Sequence, residues 1–171
     1  MNETTQQKTA QLVRILRFQL GDQDFAVKLS SVQEIVNMMS VRKIPRVPDF
    51  IEGVIHLREE IIIVVDLRKL FELEIGETTK PKIIIMSFPD KQIGFVVDDV
   101  VEIINKQNED ILEAPPVIIG GLQQNCVLGV FEENGKNIML LDLIRSFSTL
   151  EEMGLTSVLQ KELSLLIDQI N

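Results

Sequence analysis

The chain repeats itself, and this duplication constrains its fold more than any other feature of the sequence. When the sequence is shifted by 68 positions, residues 15–37 align with residues 83–105 without a gap. Because polar residues match as well as apolar ones, the repeat predicts two similar halves with a cleft between them. With a shift of 76 positions, the matching motifs are Gly53-Val54 with Gly129-Val130 and Val65-Asp66-Leu67 with Leu141-Asp142-Leu143.

The composition favours β-structure and a partner other than nucleic acid. The 171 residues include no Trp and no Tyr, so Ile, Val and Leu must fill most of the core, and β-branched side chains pack well in strands. The 26 acidic and 17 basic residues give a net charge of −9, which would repel a phosphate backbone. No apolar stretch is long enough to span a membrane, so we expect a cytoplasmic protein without direct membrane insertion.

The sequence lacks the residues that most enzyme and metal sites need. Its one histidine, His56, lies between two apolar residues and is predicted to point outward from a strand. Its one cysteine, Cys126, lies in an apolar run and is predicted to be buried. Neither a Ser-His-Asp triad nor a multi-histidine or thiolate metal site can be assembled. We therefore predict no catalytic residues, no cofactor and no metal.

Turn residues between apolar runs predict a series of β-hairpins. Asn134-Gly135 is the clearest turn, since both positions of a two-residue hairpin turn need φ above zero. Residues 1–11 are polar and are predicted to be a disordered lead. The predicted strands are 12–20, 24–28, 51–57, 60–65, 82–88, 92–97, 127–132 and 136–141.

Short helices are predicted between these hairpins, once in each half. The first begins at Ser30 or Ser31 and continues to Val36, and its repeat equivalent covers residues 99–104. The predicted fold is mainly β, with two five-stranded barrels at about 12–80 and 81–147 and a first strand that either barrel could hold. A β-sandwich is the alternative.

The end of the chain predicts helices and their caps. Asp66 and Asp142 each precede a leucine and a short helical pattern, so both are interpreted as helix caps. Ser148 and Glu151 have the spacing of a capping box, which predicts a C-terminal helix over 148–171. We expect this helix to pack on the domain rather than to dock a partner. Its apolar stripe is Leu155, Leu159, Leu163, Leu166 and Ile170.

An ordered set of motifs resembles the CheW family of chemotaxis adaptors. The motif 45–58, Pro-Arg-Val-Pro-Asp-Phe-Ile-Glu-Gly-Val-Ile-His-Leu-Arg, is followed by an apolar strand that ends in Asp-Leu at 66–67. The segments 25–37 and 92–98 match the family's other strands. Glu59 and Ile63 depart from the family's Gly and Pro. Because Glu is disfavoured in the left-handed backbone, a wider or shifted turn is expected at Arg58.

The resemblance implies two SH3-like five-stranded barrels around a shared core, no catalytic activity, and two protein partners. These partners are the histidine kinase CheA, through its regulatory domain, and the cytoplasmic helical hairpin of a chemoreceptor. An apolar groove with a few charges would suit such partners. For each apolar candidate, core packing is the alternative, and for Arg58 a local ion pair with Glu52 or Glu60. The candidate partner-binding residues are Leu29, Val32, Glu34, Val36, Gly53, Arg58, Ile93 and Gly94.

Other functions remain open at this point. An adaptor from a CheV-like protein, the regulatory domain of a kinase, or an adaptor of a twitching-motility array would carry similar motifs. A hypothesis of another class is a glycan-cleaving barrel that uses Glu34 and Glu102, which the repeat places at equivalent positions. The absence of Trp and Tyr, which usually stack on sugars, counts against it.

Overall fold

A computed structural model of the chain describes residues 11–77, 80–114 and 126–170. These residues form ten strands, arranged in two five-stranded sheets, and three α-helices, so the mainly-β fold class is confirmed. The strands are β1 (Leu12–Leu20), β2 (Gln23–Lys28), β3 (Val32–Asn37), β4 (Ile51–Leu57), β5 (Glu60–Asp66), β6 (Lys82–Ser87), β7 (Gln92–Val97), β8 (Asp99–Gln107), β9 (Val127–Glu133) and β10 (Lys136–Leu141). The helices are α1 (Leu67–Leu70), α2 (Leu143–Leu150) and α3 (Thr156–Ile170).

Each sheet is built from strands of both sequence halves. Sheet A has the order β8-β1-β2-β10-β9 and sheet B the order β3-β6-β7-β5-β4. Since the repeat relates β1–β5 to β6–β10, the two orders are the same with the halves exchanged. Parallel pairing of β2 with β10 and of β5 with β7 joins the halves. The expected division at residue 80 therefore separates the two repeats but not the two sheets.

A shared apolar core joins the two sheets and the C-terminal helices. It contains Phe25 from sheet A, Phe95 from sheet B and Phe147 from α2. Each sheet also buries a smaller cluster of its own; on β1, for example, Ile15 belongs to the sheet A cluster and its neighbour Leu16 to the shared core. Strands buried on both faces read as continuous apolar runs rather than as alternating ones.

Two repeat-related glycines allow a second backbone to approach each sheet. Arg42 exchanges backbone hydrogen bonds with the residue after Gly53, and Leu112 does so with the residue after Gly129. A Cβ atom would lie 2.0 Å from the Arg42 oxygen at Gly53 and 2.7 Å from the Leu112 oxygen at Gly129. In the described residues these single bridges, not continuous pairing, link the sheet edges, so complete SH3-like barrel closure is not observed.

The hairpins match the sequence prediction, but the two helices predicted between them are wrong. The segment from Val32 is strand β3, which pairs with β6, and residues 99–107 form strand β8, which pairs with β1. Only a 3₁₀ turn, Leu29–Ser31, precedes β3. Strand pairing with a distant part of the chain outweighed a local apolar spacing that also fits one helix face. The first ten residues of the predicted lead lie outside the described residues.

The two aspartate caps are confirmed, whereas the capping box is wrong. The Asp66 carboxylate accepts a hydrogen bond from the Arg68 backbone N–H, and the Asp142 carboxylate accepts one from the Arg145 N–H, both at 2.9 Å. Because Asp142 already caps α2, Ser148 lies inside that helix. A five-residue π-helical turn, Glu151–Leu155, then leads to α3.

The C-terminal helix packs on the domain, as its leucine spacing predicts. Leu155, Leu159 and Leu166 are between 4% and 8% exposed and belong to the shared core. Leu163 is partly buried against the same core. The helix therefore packs on the core that the two sheets share.

We predict that Gly53→Ala lowers the free energy of unfolding by at least about 2 kcal/mol, because the new methyl would overlap a backbone carbonyl and Gly53 has φ of 144°. Gly76→Ala is the matched control, because nothing lies within 4 Å of its Cβ position, and we expect a change within about 0.5 kcal/mol. Urea unfolding measures both. Equal losses for the two variants would contradict the steric explanation.

Candidate functional site

A groove of about 270 Å³ lies at the seam between the two sheets. Ser31 and Met86 line one side of it, and Leu128, Leu143 and Ile144 line the other. Leu128 is 40% exposed, so part of this apolar surface faces solvent. Residues of both sequence halves line this groove, because each sheet contains strands from both halves.

Two predicted residues of β2–β3 border this groove. Leu29 lies between the groove residues Lys28 and Ser31, and Val32 pairs with Met86 across β3 and β6. Both side chains are partly buried and pack against the shared core. Both side chains therefore pack in the core, and part of each remains accessible at the seam.

The two predicted charges form an ion pair with each other. Both Arg58 terminal nitrogens donate to the two Glu34 carboxylate oxygens, at 3.0 and 2.9 Å. Glu34 lies on the edge strand β3 and Arg58 at the tip of the β4–β5 hairpin, so the pair connects opposite edges of sheet B. The expected alternative, an ion pair of Arg58 with Glu52 or Glu60, is not what the structure shows; Glu52 pairs with Lys69 at 2.7 Å.

The turn that carries Arg58 is tighter than the sequence predicts. Leu57 pairs directly with Glu60, so Arg58 and Glu59 are the two turn residues, with φ of 48° and 67°. The repeat-equivalent turn at Asn134 and the following glycine has φ of 52° and 79°. The expectation of a wider turn is therefore wrong: both hairpins have the same left-handed turn, and two non-glycine residues adopt it at Arg58.

The remaining predicted residues lie deeper in the fold. Val36 is partly buried against the sheet B cluster. Ile93 is fully buried, and a Cβ atom on Gly94 would lie 2.7 Å from an Ile83 methyl, so Gly94 makes room for the core. Gly53 makes room for the Arg42 backbone. In all four cases packing inside the fold, the alternative reading, describes the position of the residue.

Buried ion pairs, absent from the sequence predictions, join the elements behind the groove. Arg68 donates to both Asp66 oxygens and to Asp98 at 2.9–3.0 Å, and Asp98 also accepts from the Gly21 N–H at 2.5 Å. The hydrogen bond to Asp66 raises the pKa of Arg68 above its ordinary value, so the guanidinium stays charged. This cluster holds the start of α1 against the β1–β2 turn and the β7–β8 junction.

A second buried arginine lies on strand β1 of sheet A. Arg17 is 7% exposed and binds Asp24 and Glu102, and the hydrogen bond to Asp24 raises the pKa of Arg17. Glu34 and Glu102, the pair considered for glycan cleavage, thus lie on edge strands of different sheets, each bound by an arginine. The repeat is the sequence signal that relates these two glutamates, but it does not show which arginine binds each of them.

Exposed apolar residues on β3 and just after it were also missed. Ile35 on β3 and Met38 beyond its end are each 38% exposed and follow Glu34 closely in sequence. Ile35 was predicted to lie on the face of a helix, whereas a strand places Ile35 and Glu34 on opposite faces. The edge strand therefore carries apolar surface in addition to its charge.

Comparison with known proteins decides the family. A family model described as a CheW-like domain matches residues 14–151, which is most of the chain. The chain belongs to the CheW family. The resemblance drawn from its motifs is confirmed, and the family is one of chemotaxis scaffold proteins.

Individual relatives agree with this assignment over nearly their whole length. The chain is 30% identical to the chemotaxis protein CheW of Treponema pallidum over 85% of this chain and 88% of that protein, and 30% identical to CheW of Klebsiella aerogenes over 85% and 87%. The crystal structure of the scaffolding protein TtCheW from Thermoanaerobacter tengcongensis superposes with a TM-score of 0.73 at 32% identity, over 80% of this chain and 88% of that one.

Other predicted features of the chain can be located as well. His56 is exposed on β4 and Cys126 is 3% exposed, as expected. Within residues 11–77, 80–114 and 126–170, no three His, Cys, Asp or Glu side chains are grouped as metal ligands. In the same residues, no helix is both long and apolar enough to cross a membrane.

We predict that removing Arg58 costs little stability and that removing Arg68 costs much more. Arg58→Ala should lower the free energy of unfolding by less than about 1 kcal/mol, because the Arg58 side chain is 76% exposed. Arg68→Ala should lower it by at least about 3 kcal/mol, because two mostly buried carboxylates would lose their cation. Urea unfolding of both variants measures the difference. A loss at Arg58 as large as that at Arg68 would contradict the surface role of Arg58.

Proposed function

We propose that this CheW-family protein is a non-enzymatic adaptor that couples the cytoplasmic helical hairpins of chemoreceptors to the histidine kinase CheA. It would act in the cytoplasm, at receptor arrays assembled beneath the membrane. The observation that carries the proposal is the extent of the family match, which covers residues 14–151 and nearly the full length of the named relatives.

The geometry of the seam supports a helical partner. An amphipathic helix binds by placing apolar side chains in a groove while charges at the rim fix its register. Here the groove offers Leu128 and Ile144, with the Glu34–Arg58 pair on the neighbouring edge of sheet B. Because Arg58 is exposed and carries two hydrogen bonds to one carboxylate, a partner's carboxylate can exchange with Glu34 at little cost in folding.

The second partner requires a second surface. The edge strand β8 is the repeat equivalent of β3, and it exposes Val101 and Ile103 at 42% and 51%. We therefore assign receptor binding to the seam with the β3 edge, and kinase binding to the β8 edge. Two related edges of one molecule can in this way hold two different proteins.

We predict that Leu128→Glu weakens binding to an immobilised receptor cytoplasmic fragment at least about tenfold, because a charge in an apolar groove must be desolvated. Ile75→Glu is the matched control: Ile75 is 49% exposed elsewhere on the surface, and its variant should bind as the original chain does. Arg58→Ala should also weaken receptor binding, with Arg14→Ala as its control. Surface plasmon resonance measures these affinities.

The kinase is tested separately with the same variants. Ile103→Glu should weaken binding to the CheA regulatory domain and leave receptor binding unchanged. If the original chain binds neither the receptor fragment nor CheA, the proposed function is wrong. If it binds a twitching-motility receptor or kinase instead, the adaptor role stands and the array is a different one.

A further inference from the structure

The C-terminal helix α3 follows a turn that only glycine adopts easily. Gly154 has φ of 106° and ψ of 0° inside the π-helical turn that joins α2 to α3. Other residues would be strained at this φ, but glycine has no Cβ and adopts it freely. The chain therefore changes direction here at a point with little resistance to rotation. The helix also lies beyond residues 14–151, the part that the CheW-like domain model matches.

Side-chain contacts hold α3 against the domain. Leu159 and Leu166 are buried on one face, while Val158, Leu165 and Ile167 on either side of that face are 39–44% exposed. Among the residues that the structure describes, α3 shares no backbone hydrogen bond with either sheet. It can therefore separate without breaking the strand ladders, which is the behaviour of a locally unfolding unit.

One buried carboxylate makes the packed position of α3 less favourable. Glu162 is 4% exposed, and its Oε1 accepts a hydrogen bond from Arg46 Nε at 3.2 Å, whereas its Oε2 has no hydrogen-bond partner in the described part of the chain. Burying an unpaired carboxylate oxygen opposes packing, and losing the arginine would leave the whole charge buried without its bound cation. Arg46, 75% exposed on its side chain and with φ of 57°, thus offsets part of an intrinsic destabilisation.

We propose that α3 is a detachable strap that turns about Gly154 between a packed and a released position, with the Arg46–Glu162 pair setting the balance. The surface concerned is a groove of about 610 Å³, lined by Leu163 from α3, by Ile61 and Ile63 from sheet B and by Phe88 in the turn after β6. Release of α3 removes one wall of this groove and uncovers the apolar surface beneath Leu159. The proposal does not depend on the chemotaxis role.

Hydrogen exchange followed by mass spectrometry on the full chain tests the strap. Backbone amides of α3 should exchange at least about tenfold faster than those of β6 and β7, because they exchange from a local opening while the strands require global unfolding. If α3 amides exchange as slowly as the strand amides, α3 opens only with the whole protein and the proposal is overturned.

Variants at the ion pair test what holds the strap. Arg46→Ala should speed exchange in α3 at least about tenfold and leave β6 and β7 unchanged, since it removes the cation from a buried charge. Lys43→Ala, an exposed lysine of the same segment, is the control and should change neither. Glu162→Met should slow exchange in α3, because an apolar side chain of similar length needs no cation.

The double variant separates the pair from other effects of Arg46. In a Glu162→Met chain, Arg46→Ala should no longer speed exchange in α3, because there is no carboxylate to leave unpaired. An undiminished effect, or equal effects of Arg46→Ala and Lys43→Ala, would overturn the assignment of the balance to this pair.

Discussion

Two parallel strand pairs hold the fold together. The pairing of β10 with β2 and of β5 with β7 attaches the last hairpin of each half to the first hairpin of the other. Without these contacts neither sheet would have more than three joined strands. Parallel ladders are slightly weaker per residue than antiparallel ones and occur where both faces are covered, which the shared core and the two smaller clusters provide.

This exchange of hairpins also creates the candidate site. Because each sheet takes strands from both halves, the seam brings Met86 of the second half beside Val32 of the first, with Leu128 of the other sheet and Ile144 of α2 lining the same groove. The same topology leaves β3 and β8 as sheet edges, and these edges carry the exposed apolar residues and Glu34. The surface thus follows from sheet order rather than from any one loop.

The sequence was most informative where structure is local. Turn residues such as Asn134 and caps such as Asp66 act within a few positions, and both were predicted correctly. The short apolar segment at Val32 fitted either a helix face or an edge strand, and only its pairing with the distant β6 decides between them. The exchange of strands between the halves could not be predicted from the sequence, since a repeat shows which segments are alike but not which ones pair.

The candidate site was predictable in its residue types but only partly in its arrangement. Glu34 and Arg58 were both selected, yet nothing local joins residues 24 positions apart, so their mutual ion pair was not foreseen. Gly94 and Ile93 were predicted to bind a partner, and the structure shows that the group approaching Gly94 is Ile83 of the core itself. Burial by distant strands determines such positions.

The turn at Arg58 and Glu59 has a consequence for how this molecule can be changed. Arg58 and Glu59 adopt left-handed backbone conformations that suit the Asn-Gly pair of the β9–β10 hairpin better. The β4–β5 turn is therefore more strained than the β9–β10 turn. A thermostability screen would therefore favour glycine at this tip. Glycine in place of Glu59 relieves backbone strain and keeps Arg58, whereas an Asn-Gly pair removes the guanidinium. Stabilising this loop and keeping the Glu34–Arg58 ion pair are therefore compatible at only one of its two positions.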